Sequence, residues 1–127
     1  MVTEAFVRDQ RKWTLVDGQW DVIQALDGVP VNAVELQSAL SNRSAGLTVY
    51  SLMGTDAGQY FSWIAPYLYY FDTKIKSRPE DSYSRHSKAL ILVPLGAKEP
   101  RIFQRRMSLE RVVSYTHSLA DFYPSAN

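Results

Sequence analysis

Residues 66–76 read PYLYYFDTKIK, and this run is predicted to form the central strand of the fold. Aromatic and β-branched side chains alternate with other residues along it, which is the period of a strand with one buried face. A helix is the weaker interpretation, because Pro66 would sit inside it without the N–H that a helix interior needs. On this pattern Tyr67, Tyr69 and Phe71 face the core.

A second run, KALILV at residues 88–93, is the predicted partner of this strand. The intervening residues 77–87 are polar and contain a proline, so they are typical of a long hairpin loop. We therefore expect a long antiparallel hairpin at the centre of the fold.

The pair Asp17-Gly18 predicts an earlier and tighter hairpin. Asp-Gly between two β-prone runs favours a two-residue type I′ turn, in which both residues take positive φ, and this indicates a hairpin over 12–23. Residues 20–26 fit either a strand or a helix, and the pattern leaves both open. Residues 1–10 are compatible with a flexible arm or a short helix.

Capping signals predict two helices. Asn32, followed three residues later by Glu35, forms a capping-box pattern before a short helix at 33–41. Ser108 precedes apolar residues at i, i+3, i+4 and i+7 spacing, which predicts a C-terminal helix at 109–123 packed on the sheet.

A further strand is predicted at 47–53 from alternation of its side chains, with 59–64 as its returning partner and 101–107 as a last strand. Together the elements indicate an α+β fold, with an antiparallel meander sheet of about five to seven strands and the two helices. Because no linker or internal repeat divides the sequence, residues 1–127 are expected to form a single domain.

The composition limits the classes of function. The 127 residues carry a net charge of +1, so no general field attracts nucleic acid or an anionic membrane. Cysteine is absent, which excludes disulfides, thiolate metal sites and a cysteine nucleophile. No secretory signal pattern and no membrane-spanning apolar run occur, so a cytoplasmic protein that does not bind membranes is expected.

Motifs for catalysis, metal ions or cofactors are not found. The two histidines, His86 and His117, are far apart in the sequence, and no metal ion or cofactor is expected. Gly54 and Gly58 lack the Gly-Lys-Ser/Thr of a phosphate loop, and no Gly-x-Ser-x-Gly elbow occurs. Asp72 is interpreted as a strand residue paired with a nearby cation. The protein is therefore predicted not to be an enzyme, with a small pocket enzyme of unknown reaction as the third hypothesis.

Residues 60–71 are unusually rich in aromatic side chains. Strand alternation would send these rings to both faces of the sheet, whereas one helix layer covers a single face. An exposed aromatic surface that binds a partner protein is one consequence, because Tyr and Trp are enriched at binding hot spots. The predicted partner-binding residues are Trp63, Tyr70, Phe61 and Leu68. A two-sided core, with residues 1–44 on the second face, is the open alternative, so the exposed face is not decided.

The sequence therefore predicts a small protein-binding module that occupies a partner protein, as an inhibitor or a toxin-immunity protein does. A homodimer through the same surface is a further possibility. The alternative function is binding of single-stranded nucleic acid at the basic end of the central hairpin, where cations would meet phosphates. The residues predicted for that alternative are Arg78, Arg85, His86, Lys88, Arg105 and Arg106.

Overall fold

The computed structural model describes residues 2–68, 71–74, 87–93 and 111–123. The chain divides between residues 69 and 70 into two compact units, the first with a five-stranded sheet and the second with a three-stranded sheet. Short helices accompany both sheets, so the predicted α+β class is confirmed. The expectation of a single domain stays a prediction.

The first unit is an antiparallel sheet with two helices. β2 pairs with β1 and β3, and β3 also pairs with β4 and β5. The elements are β1 (Val2–Val7), β2 (Lys12–Asp17), β3 (Val22–Leu26), β4 (Val29–Pro30), α1 (Ala33–Ser41), β5 (Leu47–Tyr50) and α2 (Ala57–Ile64), followed by a 3-10 turn (Ala65–Tyr67).

The N-terminal residues form a strand, which corrects the expectation of a flexible arm or a short helix over 1–10. β1 pairs along its whole length with β2, from Val2 opposite Asp17 to Val7 opposite Lys12. The physical reason is that hydrogen bonds to the neighbouring strand β2 satisfy the backbone groups of β1 that face it. The first ten residues alone do not reveal that such a partner strand exists. The hairpin over 12–23 is confirmed, and residues 22–26 are strand.

The turn at Asp17-Gly18 differs from the predicted type I′ turn. Asp17 pairs with Val22, so four residues connect β2 to β3, and the positive φ of 53° falls on Asp21 rather than on Gly18. The Asp17 carboxylate instead accepts the N–H groups of Gln19 at 2.9 Å and of the following residue at 3.3 Å. A side chain that binds its own downstream backbone stabilises this longer turn.

The two-residue turn occurs at the other Asp-Gly pair of the sequence. Asp27 and Gly28 have φ values of 49° and 80° and lie between Leu26 and Val29, which pair across β3 and β4. Positive φ at both central residues is the geometry that the Asp-Gly signal favours.

Helix α1 confirms the predicted helix at 33–41 and its capping box. Asn32 Oδ1 accepts the N–H of Glu35 at 2.9 Å, and Glu35 Oε2 accepts the N–H of Asn32 at 2.9 Å. Glu35 also forms a salt bridge with Lys12 Nζ at 2.8 Å, which ties the helix start to β2. The buried face of α1 consists of Ala33, Leu36 and Ala39.

Helix α2 corrects the predicted strand at 59–64. Asp56 caps the helix by accepting the N–H of Gln59 at 2.8 Å, and Tyr60 and Ile64, four residues apart, form its buried face. A short apolar run fits the period of either a helix or a strand, and here the aspartate cap decides. The 3-10 turn follows directly with Pro66 in its first turn, so no strand begins at residue 67.

The second unit contains β6 (Phe71–Lys74), β7 (Ser87–Leu92), β8 (Arg111–Thr116) and α3 (Leu119–Phe122). β6 is antiparallel to β7, with Phe71 opposite Leu92, which confirms the pairing of the central hairpin over the residues described. β8 runs parallel to β7, so the sheet is not a simple meander. The predicted loop at 77–87 ends one residue earlier, because Ser87 begins β7, and its other residues lie outside the described residues, as does the predicted strand at 101–107.

The C-terminal helix is much shorter than the predicted 109–123. Residues 111–116 form β8, since Val, Tyr and Thr favour strands and β7 supplies a partner. Ser118 caps the four-residue helix α3, in which Phe122 is buried whereas Leu119 is half exposed. The apolar spacing that predicted one long helix therefore does not form a helical face.

The two Asp-Gly pairs predict opposite responses to one substitution. Gly28→Ala puts a side chain at a φ of 80°, and left-handed backbone costs an L-residue about 1–2 kcal/mol, so the unfolding free energy should fall by that amount. In Gly18→Ala the added methyl group meets no atom within 4 Å, so the unfolding free energy should change by less than about 0.5 kcal/mol. Urea denaturation followed by tryptophan fluorescence measures the unfolding free energy of the first unit, because Trp13, Trp20 and Trp63 all lie in it. Equal losses would contradict the assignment of the turns.

Candidate functional site

One end of the five-stranded sheet brings a turn and a loop together. The turn is residues 18–21, and the loop is residues 51–56, which leaves β5 where Tyr50 pairs with Ile23. Asp21 Oδ2 accepts the N–H of Leu52 at 2.7 Å and the N–H of Met53 at 2.9 Å. One carboxylate oxygen of the turn therefore binds two successive amides of the loop.

Two hydroxyl side chains add further hydrogen bonds between the same segments. Ser51 Oγ donates to Asp21 Oδ2 at 3.3 Å and accepts the N–H of Thr55 at 3.1 Å. Thr55 Oγ1 donates to the carbonyl of Trp20 at 2.8 Å. The loop is thus held at both of its ends, and its last residue, Asp56, begins helix α2.

This tethered loop presents two large apolar side chains to solvent. Leu52 is 98% exposed and Met53 is 85% exposed. Isolated surface leucines are common in folded proteins, but adjacent exposed apolar residues beside other apolar groups are characteristic of interaction sites. Because hydrogen bonds already order the backbone here, binding through these side chains would cost little loop entropy.

A row of aromatic rings lies on the segments that adjoin the loop, which are the turn 18–21, helix α2 and the 3-10 turn. The Trp20 and Trp63 ring centroids are 5.4 Å apart, and those of Trp63 and Tyr67 are 5.7 Å apart. Both tryptophans are partly exposed, and Tyr67 is 68% exposed. We call the surface formed by Leu52, Met53, Trp20, Trp63 and Tyr67 the apolar end.

A buried polar network supports the apolar end from beneath. Tyr60 Oη donates to Asp17 Oδ2 at 3.3 Å and accepts from the Gln24 amide, and all three side chains are at most 1% exposed. Burial, reinforced by the nearby Asp17 carboxylate, raises the pKa of the Tyr60 phenol above its usual range. Asp17 therefore holds both the turn 18–21, through its backbone bonds, and helix α2, through Tyr60.

The predicted partner-binding residues are only partly brought together. Trp63 and Phe61 both lie on α2 and are partly exposed, and the Phe61 ring packs 5.8 Å from that of Tyr60. Leu68 is buried, and its carbonyl accepts from the Gln37 amide, so the prediction that it is exposed is wrong. The reason is that it follows a 3-10 turn instead of lying within a strand. Tyr70 lies outside the described residues.

The same turn reverses a prediction for the core. Tyr67, which alternation placed inside, is largely exposed and packs against Trp63 at the surface. Of its two companions in that prediction, Phe71 is partly exposed and Tyr69 lies outside the described residues.

Of the six residues predicted for nucleic-acid binding, the structure describes one. Lys88 lies in β7, where its backbone pairs with Val112. Outside the described residues lie Arg78, Arg85, His86, Arg105 and Arg106. The nucleic-acid alternative stays a prediction.

Sequence reasoning missed Leu52, Met53 and Trp20. It extended the strand of β5 to residue 53, whereas β5 ends at Tyr50. A signal was present, because two adjacent apolar residues, Leu52 and Met53, break the alternation and are followed by Gly54. That pattern indicates an apolar loop tip instead of a strand end.

The chain matches no model of a known family, no curated protein and no solved structure. Within the part of the chain that the structure describes, no three or more His, Cys, Asp or Glu residues are grouped as metal ligands would be. The helices in that part are all too short or too polar to cross a membrane.

The raised pKa of Tyr60 predicts a specific pH dependence of stability. The folded state holds the phenol proton more tightly than the unfolded chain, so stability should decrease as pH rises above the ordinary tyrosine pKa of about 10. Tyr60→Phe removes this dependence, and it also leaves the buried Gln24 amide without its acceptor, which costs about 1–3 kcal/mol at neutral pH. Urea denaturation at pH values from 7 to above about 10 measures both effects.

Tyr67→Phe is the matched control, since this ring is largely exposed. It should leave the stability and its pH profile unchanged. If the stability of Tyr60→Phe decreases at alkaline pH as that of the wild type does, the pH dependence does not come from Tyr60.

Proposed function

We propose that this protein is a protein-binding module that acts by occupying a partner protein through the apolar end, as an inhibitor or a toxin-immunity protein does. The observation that carries the proposal is the exposure of Leu52 and Met53 on a backbone tethered by the Asp21 carboxylate. The mode of action is occupancy, and it requires no chemical step.

The composition of the apolar end supports this role. Trp20, Trp63 and Tyr67 supply rigid rings with few rotatable bonds, the side-chain type that dominates binding hot spots. Leu52 and Met53 are more exposed than these rings and are free to enter an apolar pocket of the partner, and methionine adapts its shape to irregular pockets. The surface thus combines the flexible side chains of Leu52 and Met53 with three rigid aromatic rings.

The surface differs from the aromatic sheet face that the sequence predicted. Its rings come from a turn, a helix and a 3-10 turn, and Trp63 is shared with the earlier set. A cytoplasmic location belongs to the same proposal and rests on the sequence, since a chain without cysteine suits a reducing compartment.

The double substitution Leu52→Ser with Met53→Ser tests the proposal. Both side chains are almost fully exposed, so the melting temperature should stay unchanged, whereas loss of hot-spot side chains costs about 2 kcal/mol or more of binding, roughly thirtyfold in Kd. A partner captured from the native host by the wild-type chain would be purified, and its Kd measured for both proteins by calorimetry.

Val29→Ser is the matched control. Val29 is 52% exposed but follows the Asp27-Gly28 turn, at the opposite end of β3 from the apolar end. This variant should bind the partner as the wild type does. A partner that binds the double variant with undiminished affinity would refute the apolar end as the docking surface.

A further inference from the structure

The apolar end is acidic at its edge. The two segments that build it, residues 17–22 and 51–68, contain three aspartates, Asp17, Asp21 and Asp56, and no lysine, arginine or histidine. Asp17 is buried, whereas Asp21 is partly exposed and Asp56 is exposed. The apolar side chains are therefore bordered by negative charge alone within these two segments.

The basic residues of the first unit lie elsewhere. Arg8 and Arg11 belong to the loop between β1 and β2, which is at the opposite end of β2 from the turn 18–21. Lys12 is engaged with Glu35, and Arg43 follows α1 near the start of β5. Among the described residues no salt bridge neutralises Asp21 or Asp56.

The geometry of these two carboxylates keeps their charge at the surface. Asp56 caps α2 through Oδ1, and Asp21 binds backbone amides and a hydroxyl, all of which are uncharged donors. Trp63, on the helix that Asp56 caps, and Tyr67 are both accessible to solvent, and the face of such a ring attracts a cation. Exposed apolar side chains, carboxylates and accessible aromatic rings thus occur on the same few segments.

We infer that the partner segment that docks on the apolar end is a basic amphipathic segment, with Lys or Arg next to its apolar side chains. This inference rests on the proposed function and names the class of partner. The apolar side chains of the segment cover Leu52, Met53 and the rings, while its cations meet Asp21, Asp56 and the aromatic faces. Complementary charge at the edge of an interface steers association and selects among partners.

The same charges disfavour two other occupants. In a symmetric homodimer the patch would face its own copy, so the carboxylates of one chain would oppose those of the other. An anionic membrane surface attracts basic residues next to an apolar tip, and these segments carry none.

Two synthetic peptides test the inference on the full chain. They share the same Leu and Phe positions, and every polar position is Lys in one and Glu in the other. The Lys peptide should bind at least about tenfold more tightly at low salt, and the difference should shrink as salt screens the charges. Chemical-shift changes at the amides of Leu52, Met53 and Trp63 would measure Kd and location together.

A charge-only variant sharpens the test. Asp56→Asn keeps a good helix cap and removes the charge, so the affinity for the Lys peptide should fall about twofold to fivefold while the melting temperature stays constant. Asp9→Asn makes the same change in net charge in the exposed loop at the far end of β2, and it should leave the affinity unchanged.

The possible failures are distinguishable. Equal binding of both peptides, lost in the Leu52→Ser, Met53→Ser double variant, would overturn the basic partner and leave the proposed function standing. Lys-peptide binding that the double variant retains would refute the apolar end itself. The inference would also be overturned if neither peptide binds. The same holds if the wild type binds anionic phosphatidylserine vesicles, or self-associates, and the double variant does not.

Discussion

The carboxylate of Asp21 is the interaction on which the rest of the candidate site depends. Asp21 is the last residue of a four-residue turn and has a positive φ. Its carboxylate accepts the N–H groups of Leu52 and Met53, some thirty residues later in the chain. Hydrogen bonds to an ionised acceptor are roughly twice as strong as neutral ones, so one side chain can order the loop. Asp17, at the other end of the same turn, ties it to α2 through Tyr60. Two aspartates therefore hold the turn 18–21, the loop 51–56 and helix α2, which carry most of the apolar end.

The parts of the fold that the sequence predicted correctly rest on local signals. The capping box of Asn32 and Glu35 contains both of its partners within four residues, and α1 starts where it says. The Asp-Gly pair between two β-prone runs located the hairpin of β2 and β3. Alternation located β6, since a strand with one buried face repeats every two residues whatever its partner. None of these signals requires knowledge of a distant contact.

Several of the failures involve distant contacts, whereas helix α2 was missed although its Asp56 cap is a local signal. Which Asp-Gly pair forms the two-residue turn depends on the register between strands, Asp17 with Val22 in one case and Leu26 with Val29 in the other. β8 is a strand because β7 lies parallel to it, and without that partner its apolar spacing resembles a helix. The ordered backbone of Leu52 could not be predicted for the same reason, because the group that fixes it is a carboxylate 31 residues away.

The most direct test of this account is the backbone mobility of Leu52 and Met53, measured by ¹⁵N relaxation in the wild type and in Asp21→Gly. Glycine adopts the φ of 53° without steric cost, so the substitution removes the carboxylate and leaves the turn possible. We expect order parameters of about 0.85 for both amides in the wild type and below about 0.6 in the variant. Amides that are already mobile in the wild type, or that stay rigid in Asp21→Gly, would contradict the claim that Asp21 organises the binding surface.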